Sequence, residues 1–264
     1  MRRAAVRKVT KLLALGGTSP DRRPTVCGAL PTGGTGDPDA ATGPWLLPPR
    51  APQRRHHPEP GPAGPARVEA VLFDCDGTLV VDVPYNGDPT RVRPTARARA
   101  ALAALRTLRI PLGVVSNQSG VAKGLLTRHQ VVAVQARIEE LLGPFDVWAV
   151  CPHGPDDRCG CRKPAPGLIL AACRHLGADS ARVVVIGDIG ADLEAAAAAG
   201  ARGILVPAPG TRAEEIESAD ETAPDLAAAV RLALRPALPG AGRIPSDASV
   251  RSSPPHRLTG GAGR

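Results

Sequence analysis

The residues best equipped for chemistry begin at Asp74-Cys75-Asp76-Gly77-Thr78. The run before them, Val68 to Phe73, is apolar apart from Glu69 and reads as a buried strand that ends abruptly in charge. If the chain stays extended through Asp76, carboxylates at i and i+2 project to the same side of the strand end. Two close carboxylates are costly unless a cation or a shared proton relieves them. Oxygen-only ligands select a hard cation, and Mg²⁺ beside a phosphate is the common pairing. A strand cap followed by an Asp-Gly turn accounts for the same stretch taken alone. The choice therefore rests on what later strand ends supply.

Three later segments bear on it. Ser116-Asn117-Gln118-Ser119-Gly120 closes the apolar run Ile110–Val115 and offers a hydroxyl and an amide beside backbone N–H groups, which suits a phosphate and equally suits an ordinary turn. Arg162-Lys163-Pro164 precedes a helical pattern. A lysine there can orient a nucleophile and neutralise a transferring phosphoryl group, or simply flank the helix on the surface. Gly187-Asp188-Ile189-Gly190-Ala191-Asp192 follows the strand-like Val183–Ile186, and an acid at a helix start is common on capping grounds alone. Four such segments in order, each at a strand end, are hard to assign to turns.

The most specific local pattern is Cys151-x-His153-x5-Cys159-x-Cys161, three thiols and an imidazole within eleven residues flanked by Gly and Pro. It fits a closed tetrahedral Zn²⁺ site with no open position, hence a structural one, pinning the loop that delivers Arg162 and Lys163. Disulfides fit poorly with a polar loop and no secretory signal. Cys27, Cys75 and Cys173 have no partner pattern and are expected to be free thiols.

Asp74-x-Asp76-Gly77-Thr78 resembles the first motif of the haloacid dehalogenase-like (HAD-like) phosphotransferases. The resemblance implies an Asp74 nucleophile, an Asp76 acid and base, and Thr78, Ser116, Asn117, Arg162 and Lys163 around the phosphate and substrate. It also implies Mg²⁺ held by Asp74, Asp188 and the Asp76 backbone carbonyl, with Asp192 supporting them from a helix start. The zinc loop together with Ser116–Gly124 is similar to the D-glycero-D-manno-heptose 1,7-bisphosphate 7-phosphatases and the histidinol-phosphatases, over residues 67–210. Cys75, where these relatives usually carry Arg, Ile189, where they commonly carry Lys, and the loop Val81–Thr90 depart from their pattern. The likeness thus implies a phosphatase of a small phosphorylated metabolite, foremost that heptose bisphosphate, with histidinol phosphate or a nucleic-acid 3′-phosphate as alternatives. A zinc-stabilised binding module is the alternative outside enzymology, and it predicts a missing motif residue; none is missing.

The elements that must position these groups alternate. Helical patterns over Pro94–Leu108, Leu126–Leu142, Gly167–Leu176, Asp192–Ala199 and Asp225–Leu234 separate strand-like runs at Val68–Phe73, Ile110–Val115, Asp146–Val150, Arg182–Ile186 and Gly203–Val206. This predicts an α/β fold, a doubly wound parallel sheet with every strand's carboxyl end on one edge. About 37 residues separate Thr78 from Ser116, too few for a large cap domain.

The net charge of +8 sits in the flanks: ten Lys and Arg oppose four Asp and Glu in 1–66, four oppose one in 236–264, and nineteen oppose twenty between. The flanks also hold 17 of the 29 prolines. Segments 1–66 and 236–264 therefore read as disordered tails, with at most a short basic helix near Arg3–Leu15, and 67–235 as the catalytic domain. Aromatic content of 2% argues against base-stacking surfaces, so a nucleic-acid partner is not expected. No run reaches transmembrane length and no secretory signal is visible, so a cytoplasmic monomer without a membrane partner is expected.

Overall fold

A computed structural model describes residues 43–47 and 68–235. The tails' expected disorder and the short helix near Arg3–Leu15 lie outside the described residues, apart from Gly43–Leu47. Six strands form one sheet: β1 (Trp45–Leu47), β2 (Ala70–Phe73), β3 (Leu112–Asn117), β4 (Val147–Cys151), β5 (Val183–Gly187) and β6 (Arg202–Leu205). Their order is β1-β4-β3-β2-β5-β6, and the last five in chain order run parallel. The helices are α1 (Ala98–Thr107), α2 (Arg128–Leu142), α3 (Gly167–Leu176), α4 (Gly190–Ala198), α5 (Ala213–Ser218) and α6 (Leu226–Ala233).

Both faces of the sheet are covered, which is why its strands read as apolar runs instead of alternating ones. Val71 and Phe73 of β2 point into a core shared with α1, α2 and α6, while Ala70 and Leu72 point into one shared with α3 and α4. Gly113 lets β3 lie close to its neighbours, since a Cβ there would come within 2.5 Å of the Leu72 side chain. Helix ends are fixed locally. Thr127 and Gln130 form a capping box at the start of α2, and Arg106 donates to the Leu142 and Pro144 carbonyls at its end.

The expected doubly wound parallel sheet is present with one addition. β1, inside the segment read as a solvated tail, pairs antiparallel with β4 and buries Trp45 and Leu47 while exposing Leu46. Three residues amid prolines give too short a periodic signal, and it is the partner strand that orders them. Between β2 and β3 there is a loop, the 3₁₀ turn Pro89–Arg91 and α1, so no cap domain is inserted there. No helix among the described residues is long and apolar enough to cross a membrane.

Candidate active site

The carboxyl ends of β2, β3 and β5 converge, as parallel connections require. The strand geometry of β2 ends at Phe73, and Asp74 remains tied to β5 by its N–H, which donates to the Ile186 carbonyl at 2.9 Å. The chain then turns tightly: Leu79 N and Val80 N both donate to the Cys75 carbonyl, and Gly77 N donates to Val80. The two carboxylates therefore take different partners. Asp74 faces inward, and Asp76 faces Gln118, whose Nε2 donates to Asp76 Oδ2 at 2.9 Å and to Ser116 Oγ at 3.0 Å. Gly77 (φ +87°) is needed at this turn, because a Cβ would fall 2.1 Å from Asp188 Oδ2.

Asp74, Asp188 and Asp192 bring one carboxylate oxygen each within 4.8 Å of one another, and all three are buried. Lys163 Nζ reaches Asp74 Oδ1, lies 2.6 Å from Asp192 Oδ1, and donates to the Val115 carbonyl at 2.9 Å. Burial works to strip the Lys163 proton, but Asp192 and Asp74 outweigh it and hold the ammonium's pKa above its ordinary value. Burial raises Asp74 well above the usual carboxylate range against the pull of Lys163, with Asp192 and Asp188 adding to the rise. Burial and then Asp192 lift Asp188 to about 6. Asp76 is lifted to about 6 by burial and then by Asp82, opposed by the Gln118 hydrogen bond. Three buried carboxylates share one ammonium, and when all are ionised the deficit of positive charge is one that a divalent cation would fill.

Several of the side chains singled out in the sequence are held by partners within the protein. Thr78 Oγ1 donates to Asp188 Oδ1 at 3.0 Å, so Thr78 aims that acid. Asn117 clamps the Lys163 backbone, donating to its carbonyl and accepting from its N–H, both at 3.1 Å. Arg162 Nη1 donates to the His153 carbonyl at 3.5 Å, tying it to the cysteine loop. Asp192 sits in the first turn of α4, accepts from Ile189 N at 3.3 Å, and belongs to the carboxylate cluster itself. The Asp76 side chain is not part of that cluster. Gln118 and Thr211 were unassigned in the sequence. Gln118 directly follows Ser116-Asn117, whereas Thr211, whose Oγ1 donates to the Asp188 carbonyl at 2.6 Å, is too distant in sequence to be found by any motif.

The cysteine loop leaves β4 at Cys151 and returns to α3. The thiols of Cys151, Cys159 and Cys161 and His153 Nδ1 lie 3.3–3.6 Å apart in the pairs that touch. The edge of a tetrahedron around a thiolate-bound zinc is about 3.8 Å. Hydrogen bonding from Cys161 pulls the Cys151 thiol down to about 5, against burial. The four residues can thus hold one metal ion. All cysteines among the described residues are free of disulfides. Burial pushes the Cys75 and Cys173 thiols up, which disfavours their thiolate forms. The loop abuts the helix that follows it: a Cβ on Gly167 would come within 2.3 Å of the Gly160 carbonyl.

Comparison with known proteins agrees with this arrangement. The family described as HAD-hydrolase-like matches residues 160–231. The D-glycero-beta-D-manno-heptose-1,7-bisphosphate 7-phosphatase of Pseudomonas aeruginosa is 38% identical over 141 residues, covering 52% of this chain and 79% of the relative. The protein of that name from Escherichia coli K12 is 34% identical over 143 residues, covering 50% and 75%. Among solved structures, the D,D-heptose 1,7-bisphosphate phosphatase of B. bronchiseptica, complexed with magnesium and phosphate, aligns with a TM-score of 0.57 at 30% identity, covering 62% of this chain and 97% of that one. With the motif order, the capless sheet edge and these relatives in agreement, the chain belongs to the HAD-like hydrolases, and within them to the phosphoric monoester hydrolases.

Proposed function

We propose that the protein is a Mg²⁺-dependent phosphomonoesterase that hydrolyses a small sugar phosphate through an aspartyl-phosphate on Asp74. The observation that carries this reading is the buried Asp74 carboxylate, paired with Lys163 inside a three-carboxylate cluster that is short of positive charge. The donor set is all oxygen and fits Mg²⁺, with Asp74 and Asp188 as the carboxylates that would hold it. Bound there, Mg²⁺ supplies charge neutralisation for the phosphoryl oxygens. The Cys151, His153, Cys159 and Cys161 donors fit a structural Zn²⁺.

In the first displacement Asp74 attacks phosphorus, and the bond to the ester oxygen breaks while Asp76 delivers its proton to the departing alkoxide. With a pKa of about 6, Asp76 keeps a protonated fraction near neutral pH that an ordinary aspartate would not. In the second, Asp76 takes a proton from water as it attacks the phosphoaspartate. Lys163 holds Asp74 in place and neutralises phosphoryl charge, while Ser116 and the backbone N–H groups after β3 orient the oxygens. Gln118 holds Asp76 beside Ser116.

This division of labour separates the two steps. With p-nitrophenyl phosphate, whose leaving group needs no proton, Asp76→Ala is expected to give a stoichiometric burst of nitrophenolate followed by turnover about 10²–10⁴-fold below the parent. Stopped-flow absorbance checks this, and linear release without a burst contradicts it. The cysteine loop is coupled to the same site because Lys163 follows Cys161 by two residues and Arg162 is tied to the His153 carbonyl. Removing zinc with a chelator is expected to lower activity at least about tenfold while the far-ultraviolet circular dichroism persists, with recovery on adding Zn²⁺ but not Mg²⁺.

The names of the relatives support D-glycero-D-manno-heptose 1,7-bisphosphate as the first ester to test. A phosphate-release screen of the full chain with Mg²⁺ should include it with other sugar phosphates, histidinol phosphate and a 3′-phosphorylated oligonucleotide. Release from a sugar phosphate that disappears in Asp74→Asn is the expected result. Silence on every ester in a folded, metal-loaded protein overturns the reading.

A further inference from the structure

A cavity of about 220 Å³ opens beside Asp76, and Gln118 and Ser116 line it with that carboxylate. The 81–90 loop contributes Asp82, Tyr85 and Asn86, while Trp148 of β4 and Val131 and Ile138 of α2 form an apolar wall. The volume corresponds to about seven water molecules, enough for a short hydroxylated chain. An in-line displacement by Asp74 sends the departing oxygen toward the group that protonates it, so the alcohol half of the ester must leave on the Asp76 side.

The chemistry of the lining is one-sided. Its charged groups are the carboxylates of Asp76 and Asp82, beside amides such as those of Asn86 and Gln118 and the hydroxyls of Ser116 and Ser119, and it has no Lys or Arg. Lys123 is not among the lining residues; its ammonium donates to Tyr85 Oη at 2.5 Å and lies 4.9 Å from the centre of that ring. The bridge joins the loop before α1 to the loop after β3. Tyr85 holds its place there in a left-handed backbone (φ 51°), over Gly120, where a Cβ would come within 2.9 Å of the tyrosine ring. A residue other than Gly in that conformation is uncommon and tends to mark a site.

We propose that this cavity is the leaving-group subsite, that Asp82 and Asn86 read hydroxyl groups of the departing alcohol, and that Asp82 excludes alcohols bearing negative charge near the departing oxygen. Carboxylate and amide oxygens accept from sugar hydroxyls, and the Tyr85 and Trp148 rings give the carbon chain an apolar surface. A second phosphoryl group on a substrate must then lie outside the cavity. The inference rests on the phosphatase reading and adds which esters that site accepts.

Glycerol 3-phosphate and 3-phosphoglycerate test it, because they share a three-carbon skeleton and differ at its far end by a carboxylate. A like charge a few ångströms away in a partly solvated site costs about a factor of ten or more. The full-length protein with Mg²⁺ is expected to favour glycerol 3-phosphate in kcat/KM by at least about tenfold. Asp82→Asn is expected to narrow that ratio about tenfold, mainly through KM for 3-phosphoglycerate, and Asp82→Glu to keep it. Asp82 is exposed, so neither change should move the melting temperature. An unchanged ratio in Asp82→Asn, a preference for 3-phosphoglycerate, or hydrolysis of longer esters with neither of these two overturns the subsite. Hydrolysis of no ester at all overturns the phosphatase reading and takes the subsite with it.

Discussion

Asp74→Asn is expected to lower phosphate release by at least about 10⁴-fold on every ester, because an amide cannot form the phosphoenzyme and no neighbouring carboxylate is placed to replace it. Asp188 accepts from Thr78, and Asp192 is locked against Lys163 behind the reacting position. The fold should persist. Burial raises the pKa of Asp74, so its ionised form is held against desolvation, and an uncharged isostere removes that strain while Lys163 retains Asp192. The melting temperature of the metal-free variant is therefore expected at or above that of the parent. Calorimetry beside a phosphate assay checks both halves, and a variant that is inactive only because it is unfolded contradicts the assignment.

Lys163→Met is expected to be the most damaging single change to stability as well as to turnover. It leaves Asp74, Asp188 and Asp192 buried within 4.8 Å of one another with no protein cation among them. Breaking a buried ion pair from one side costs about 3–5 kcal/mol, which for a domain of this size lowers the melting temperature by about 6–20 °C. The pH dependence has a definite sign. Asp188 titrates at about 6 and Asp74 is raised as well, and removing the ammonium raises both further. Their protonation on acidification relieves the repulsion, so the gap between variant and parent should narrow as the pH falls from about 7.5 to about 5.5. In the parent the raised Lys163 pKa keeps its stabilisation intact throughout that window; it is lost only as the pH rises above the ordinary lysine range. A gap that widens on acidification contradicts the charge account.

Much of this site was legible in the sequence for a physical reason. A parallel sheet sends every strand's carboxyl end to one edge, so Asp74, Ser116 and Asp188, each just past or at the end of an apolar run, had to meet. The Cys151–Cys161 loop was readable as metal-ligand spacing, whereas Lys163, by itself no more than a basic residue flanking a helix, was singled out by the family resemblance. What the sequence hid was the direction in which side chains turn. Asn117 has a phosphate-binding composition, yet its amide fits the two backbone groups of Lys163, a partner 46 residues away. Thr78 looks toward a phosphate in the motif and toward Asp188 in three dimensions because the tight turn at Gly77 rotates it inward. The i and i+2 argument for Asp74 and Asp76 assumed an extended chain through Asp76, whereas β2 ends at Phe73 and the chain turns at the Cys75 carbonyl. β1 was hidden because three residues carry too little pattern to outweigh the prolines around them.

The central claim is that Asp74 carries the phosphoryl group, and acid quenching within the first turnover tests it most directly. Enzyme, Mg²⁺ and the best ester from the screen are mixed, quenched, digested and analysed by mass spectrometry, with Asp76→Ala included to let the intermediate accumulate. The account predicts a hydroxylamine-labile phosphoryl group on the peptide containing Asp74, more abundant in Asp76→Ala and absent in Asp74→Asn. Sustained phosphate release with no phosphoenzyme in either protein, or with the group on another residue, would contradict it.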